Sequence, residues 1–177
     1  MNKKVFVIGG CRSGKSRHAL ELAEDMSPDE KVFIATCVPQ DEEMRQRVTN
    51  HQAERDQTWK AVEAPLHLPE GIVDNAHAGR VILVDCLTLW INNLLMENED
   101  VDHAENQISK LTQAIETVDC PLVIVSNEVG TGIVPDNKLA RIYRDLVGSA
   151  NQAVAKSVDS VVMVVAGIGV TIKEKRV

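Results

Sequence analysis

Gly9-Gly10-Cys11-Arg12-Ser13-Gly14-Lys15-Ser16 matches the pattern G-x-x-x-x-G-K-[ST] at every defined position. Glycines in such a loop let successive backbone N–H groups turn inward around an anion, and a helix opening beside Ser16 adds the positive end of its dipole. Lys15 then reaches the β- and γ-phosphates of a nucleoside triphosphate, and the Ser16 hydroxyl ligates Mg2+. Both flanks suit this reading: the apolar run Val5–Ile8 precedes the motif and a helical stretch follows it. A chance Gly-rich turn has no reason to satisfy the motif and both flanks together.

A phosphate loop of this kind works with an acid at the end of another buried strand. Arg80-Val81-Ile82-Leu83-Val84-Asp85 provides one, with Asp85 emerging at the carboxyl end, where it meets Mg2+ or its water shell. Asp is also a good helix cap, and Cys86-Leu87-Thr88 opens a helix, so capping is the other reading.

Arg47, His51 and Arg55 recur every four residues in a polar stretch that reads as one helix over 41–55, which puts all three on one face. Neighbouring guanidinium groups disfavour the imidazolium and keep the His51 ring neutral. A neutral imidazole can attack phosphorus while arginines hold the phosphate oxygens. From spacing alone, a solvated surface histidine remains the simpler reading. His18 follows the phosphate loop on its helix, and His67, His77 and His103 fall in loops or polar stretches without a nearby constellation.

The elements that must position these residues alternate. Val5–Ile8, Lys31–Thr36, Arg80–Asp85, Leu122–Ser126 and Ser160–Val165 read as strands, and most are continuous apolar runs, as for parallel strands covered on both faces. Helices are expected at about 15–25, 41–55, 87–96, 104–118 and 137–157. This order predicts right-handed crossovers and an α/β three-layer P-loop NTPase (RecA-like) fold with a mostly parallel sheet. Residues 58–78, with Pro65 and Pro69, read as a minor strand and loop, and the acidic stretch 97–105 as a solvated connection between helices. With no repeat or linker, 1–177 is expected to be one domain.

Composition narrows the partners. A net charge of −7 argues against a nucleic-acid partner, because no basic stripe exists to meet a phosphate backbone. No apolar run approaches the roughly 18–20 residues of a membrane span, and Val5–Ile8 is too short for a secretory leader, which predicts a cytoplasmic protein. Cys11, Cys37, Cys86 and Cys120 are scattered without metal spacing and are expected to be free thiols. A phosphate loop alone does not distinguish a kinase, an NTPase and a switch protein.

The segment Asn127-Glu128-Val129-Gly130-Thr131-Gly132-Ile133-Val134-Pro135 and the later Gly167-Ile168-Gly169-Val170-Thr171-Ile172-Lys173 are more specific. With Gly9–Ala19, Ile34–Cys37 and the His51…Arg55 pair, the chain closely resembles, from about residue 4 to residue 173, the bifunctional adenosylcobinamide kinase / adenosylcobinamide-phosphate guanylyltransferase family of cobalamin biosynthesis. The resemblance implies phosphorylation of the aminopropanol hydroxyl of adenosylcobinamide by ATP or GTP. Transfer of GMP from GTP through a guanylyl-histidine intermediate would follow, giving adenosylcobinamide-GDP. Carried over by position, His51 is the nucleophile, and Lys15 acts with it in catalysis. Gly9, Gly10, Cys11, Arg12, Ser13, Gly14, Lys15 and Ser16 hold phosphates; Ala35, Thr36 and Cys37 and then Gln52, Ala53, Glu54 and Arg55 lie near the nucleotide. Glu63 and Asp85 match acidic positions that contact nucleotide or metal, with Ser16 and Asp85 toward Mg2+. The resemblance also implies small-molecule substrates and a homotrimer. Asn50 stands before His51 where some members carry a second histidine, which leaves one candidate nucleophile. The alternatives are a guanylyltransferase that has lost the kinase step and a non-catalytic nucleotide switch. Aromatic residues make up 3% of the chain and suggest no platform for the corrinoid.

Overall fold

The continuous apolar runs form the centre of one seven-stranded sheet. In the computed structural model, residues 3–27, 30–39, 41–53 and 55–175 are described, residues 47 and 50–53 by their backbone alone. The elements in chain order are β1 (Lys4–Gly9), α1 (Lys15–Met26), β2 (Glu30–Ala35), α2 (Glu42–Ala53), β3 (Trp59–Glu63), α3 (Leu68–Asn75) and β4 (Arg80–Asp85). There follow α4 (Leu87–Asn98), α5 (Val101–Thr117), β5 (Leu122–Asn127), α6 (Lys138–Ser157), β6 (Ser160–Val165) and β7 (Ile168–Glu174). The sheet order is β3-β2-β4-β5-β1-β6-β7, parallel except for the antiparallel pair β6–β7.

Period-two alternation sends the side chains of each strand to two cores. Phe6, Ile8, Ile34, Ile82, Val84, Leu122 and Ile124 face α3 to α6, where Leu68, Trp90, Leu94, Leu111, Val147 and Val154 meet them. Val5, Val7, Phe33, Leu83, Val123 and Val125 face the other way, against Ala19 and Ala23 of α1. Small residues on α1 let that helix lie close over the middle of the sheet, so the end of β1 and the start of α1 are held by the same core. No helix among the described residues is long and apolar enough to cross a membrane.

Three expectations change. Residues 68–75 form a helix where the prolines suggest a loop: Pro69 sits in its first turn, where a missing N–H costs nothing. The acidic stretch is mostly helix, with Asp100 capping α5 by accepting from the His103 N–H at 3.1 Å. Residues 168–174, a block not assigned a secondary structure, form the edge strand β7.

Candidate active site

The carboxyl ends of the parallel strands define one edge, where ligands bind in open α/β sheets. The phosphate loop leaves β1 at that edge between β5 and β6. A Cβ on Gly9 would lie 2.5 Å from the Val164 carbonyl oxygen and 2.6 Å from Ser13 Oγ, so only glycine fits. Gly14 takes φ of 93° as it enters α1, a left-handed conformation that glycine adopts without cost. Arg12 also has positive φ, at 53°. The loop is closed by the Ser13 N–H donating to the Gly10 carbonyl at 3.3 Å, and Lys15 Nζ donates to that same carbonyl at 3.2 Å. The Ser13 hydroxyl is buried and has no hydrogen-bond partner among the described residues. That is an orphaned polar atom within a loop shaped for an anion.

Two neighbouring segments hold the loop from outside. The Glu128 N–H, just past β5, donates to the Gly9 carbonyl at 3.1 Å, and the Gly167 N–H, in the β6–β7 turn, donates to the Ser13 carbonyl at 2.8 Å. Glu128 Oε1 in turn accepts from the Gly130 N–H at 2.6 Å.

Sheet register aligns the acids. Ala35 pairs with Glu63 on one side and with Asp85 on the other, so both carboxylates project to the α1 face, flanking β2 at its carboxyl end. Glu63 is exposed and Asp85 half-buried. The charges of Asp85 and Lys15 act on the Cys86 thiol in opposite senses; burial first, then the Asp85 charge, pushes that thiol up to about 12. Burial and then Asp85 also raise the Cys37 thiol. All four cysteines are free.

Thr36 is fully buried, and its hydroxyl is spent on backbone: it donates to the Cys86 carbonyl and accepts from the Cys86 N–H. A chain of polar contacts continues beneath the site, from Cys86 Sγ to Thr88 Oγ1 at 3.1 Å and from Asn127 Nδ2 to Thr88 Oγ1 at 3.1 Å. Asn151 accepts from the Ser126 hydroxyl at 2.7 Å and donates to the Asn127 carbonyl at 3.2 Å. The ends of β2, β4 and β5 are thus cross-linked by side chains.

The structure therefore gathers Gly9 to Ser16, Asp85, Ala35 and Cys37 at one edge, with Glu63 beyond β2. Cys11 and Arg12 are exposed on the loop, and Lys15 and Ser16 are half-buried at the start of α1. His51, Gln52 and Ala53 lie in α2, but their side chains, like those of Arg47 and Asn50, lie outside the described residues, as does Glu54 altogether. Arg55 is past the end of α2, so the four-residue spacing from His51 does not make it a helix-face neighbour. Its guanidinium instead rests on Phe33, 3.7 Å from the ring centroid, one strand repeat below Ala35. Glu128 and Gly167 carried no assigned role in the sequence, although both sit in its two most specific blocks.

No group of three or more His, Cys, Asp or Glu residues fit to hold a metal occurs among the described residues. Mg2+ needs none, because it keeps several waters and takes one or two protein ligands plus substrate phosphates. Ser16 and Asp85 fit that requirement.

This loop, on this sheet, defines a P-loop nucleotide-binding protein. A solved ATPase domain superposes with a TM-score of 0.54 at 12% identity, over 92% of this chain and 69% of that one. The type III secretion ATPase EscN of enteropathogenic E. coli superposes with a TM-score of 0.56 at 11% identity, over 93% and 43%. These likenesses concern the fold. A sequence model of the family described as CobU, cobinamide kinase / cobinamide phosphate guanyltransferase, matches residues 5–172, and the chain belongs to that family. It is 39% identical to the bifunctional adenosylcobalamin biosynthesis protein CobU of Escherichia coli, over 96% of this chain and 99% of the relative. It is 40% identical to CobU of Salmonella typhimurium over the same shares, and 39% identical to CobP of Pseudomonas aeruginosa over 95% and 96%.

Proposed function

We propose that this chain performs both reactions by which its family is described: phosphorylation of the cobinamide hydroxyl, then guanylyl transfer to the resulting phosphate. The observation that carries the reading is the complete loop from Gly9 to Ser16, with Lys15 at the start of α1 and Asp85 at the carboxyl end of β4, on the same edge of the sheet. In the first reaction the loop amides and Lys15 hold the triphosphate of ATP or GTP. Lys15 exchanges its contact with the Gly10 carbonyl for phosphate oxygens. The acceptor hydroxyl attacks the γ-phosphorus, the bond to the bridging oxygen breaks and a nucleoside diphosphate leaves. Ser16 and Asp85 would hold Mg2+, which neutralises charge on the phosphates when bound.

In the second reaction we assign His51 as the nucleophile. Its imidazole attacks the α-phosphorus of GTP and pyrophosphate leaves. A phosphate oxygen of cobinamide phosphate then attacks the same phosphorus, breaking the N–P bond and restoring histidine. Family membership supports this role, as does the place of His51 on α2, shortly before Arg55 settles on Phe33. Glu63 and the segment from Gln52 to Arg55 are assigned to the nucleotide on the same grounds. We also propose the homotrimer implied by the resemblance, supported by the exposed apolar residues of β7.

Incubation with α-labelled GTP and Mg2+ tests the second reaction: label that is acid-labile and base-stable is expected on the parent and absent from His51→Ala. Label retained by that variant would overturn His51. The first reaction is tested separately with cobinamide and ATP, where Lys15→Met is expected to abolish phosphorylation while His51→Ala retains it.

A further inference from the structure

The glycines of the last sequence block have no part in the chemistry above, yet one of them touches the phosphate loop. We propose that the β6–β7 turn is a positioning element for the nucleotide, with the Gly167 N–H fixing the peptide between Ser13 and Gly14. The inference rests on the phosphate loop binding the triphosphate.

In a trans peptide the carbonyl of one residue and the N–H of the next point in opposite directions. Gly167 N–H holds the Ser13 carbonyl at 2.8 Å, outward toward the hairpin. The Gly14 N–H is therefore turned to the opposite side, into the concavity that receives an anion. Without that bond the peptide could rotate and present a carbonyl oxygen to the phosphate, an arrangement that repels it. Preorganised N–H donors of this kind contribute because they need no reorganisation when charge arrives.

A second observation supports the same pairing. A Cβ on Gly14 would lie 3.1 Å from Gly167 Cα, so turn and loop are in direct contact. The turn itself requires unusual backbone: Ala166 has φ of 52° and Gly167 of 81°, two consecutive positive values, as in a type I′ hairpin. That geometry aims the Gly167 N–H at Ser13, and it does so at the end of β6, whose Val164 carbonyl already bars a side chain on Gly9.

Gly79 offers a matched control. It has φ of 84° and, like Gly167, open space where a Cβ would go, but it lies before β4, at the opposite edge of the sheet. Gly79→Val and Gly167→Val impose the same kind of backbone strain, so both are expected to lower the melting temperature. Only Gly167→Val is expected to weaken binding of α,β-methylene GTP, whose bridging carbon blocks guanylyl transfer. Loss of one oriented donor to a charged group corresponds to about tenfold to a hundredfold in Kd. Titration calorimetry on the folded full-length protein reads this directly. Parent affinity in Gly167→Val overturns the inference, whereas a parent that fails to bind the analogue overturns the nucleotide reading beneath it. Should Gly167→Val not fold, amide hydrogen exchange on the nucleotide-free parent decides: Gly167 is expected to be protected, and exchange at an unprotected rate overturns the inference.

Discussion

The Thr36 hydroxyl donates to the Cys86 carbonyl at 2.7 Å and accepts from the Cys86 N–H at 2.8 Å, so the side chain that follows β2 serves both backbone groups of the residue that follows β4. Cys86 is buried and directly follows Asp85, so this pair sets where the Asp85 carboxylate emerges.

Thr36→Val keeps the shape and removes both bonds. The Cys86 carbonyl keeps the Trp90 N–H at 3.3 Å, whereas the Cys86 N–H loses its partner, so a loss of about 2 kcal/mol is expected in urea unfolding. Thr36→Ser keeps the hydroxyl and is expected to recover most of that loss. If Asp85 helps to hold Mg2+, the valine variant also requires more Mg2+ for half-maximal activity than the serine variant does.

Lys173 reaches across to the end of α6, donating to the carbonyls of Ala155 and Val158 at 2.6 Å each and of Lys156 at 3.2 Å. These groups lie where a helix leaves carbonyls without partners. Lys173→Met is expected to cost about 2 kcal/mol and to lower the melting temperature by about 4–8 °C, measured by circular dichroism.

Alkaline stability follows from two acids, the buried Cys86 and the half-buried Tyr143. Burial and then Asp85 push Cys86 from 9.0 up to about 12; burial and then Cys86 push Tyr143 from 10.0 up to about 12. The unfolded chain loses these protons first, so the folded state binds more protons across this range and stability falls as pH rises. The contribution is complete below about pH 9 and lost on approaching about pH 12, which urea melts between those values should reveal. At pH 8, Ellman's reagent is expected to modify the exposed Cys11 and to spare the buried Cys86 until urea is added.

The edge strand yields a prediction about assembly. Ile168, Val170 and Ile172 are 67%, 52% and 61% exposed on β7. Light scattering is expected to give the parent three times the chain mass. Val170→Asp, with unchanged circular dichroism, is expected to reduce it to one. A parent of one chain mass would remove the trimer.

Much of this architecture is legible because buried parallel strands are apolar throughout, so Val81–Val84 and Leu122–Val125 announce themselves without any partner in view. β7 is harder: Gly-Ile-Gly-Val resembles a turn, and its apolar residues point outward. α3 is concealed by Pro69, which reads as a breaker unless its first-turn position is known. The phosphate loop is evident because its function resides in a contiguous stretch. Thr36 reads as a nucleotide neighbour, whereas its hydroxyl faces Cys86, 50 residues further along, a relation that only the β2–β4 register creates. Arg55 falls on the His51 face only if α2 is extended two residues past its end at Ala53.

The bond from Gly167 to Ser13 also bears on synthesis. β1 lies between β5 and β6, so it has both neighbours only after β2 to β4 and α1 to α6 have been made. The phosphate loop receives its outer tether later still, from a residue 154 positions downstream of Ser13. If Gly167 orients the Ser13–Gly14 peptide as proposed, a nascent or truncated chain lacking the hairpin carries every residue of the nucleotide motif without that tether. On that proposal, synthesis of the motif and its competence to capture a triphosphate are separate events, divided by the making of β2 through β6.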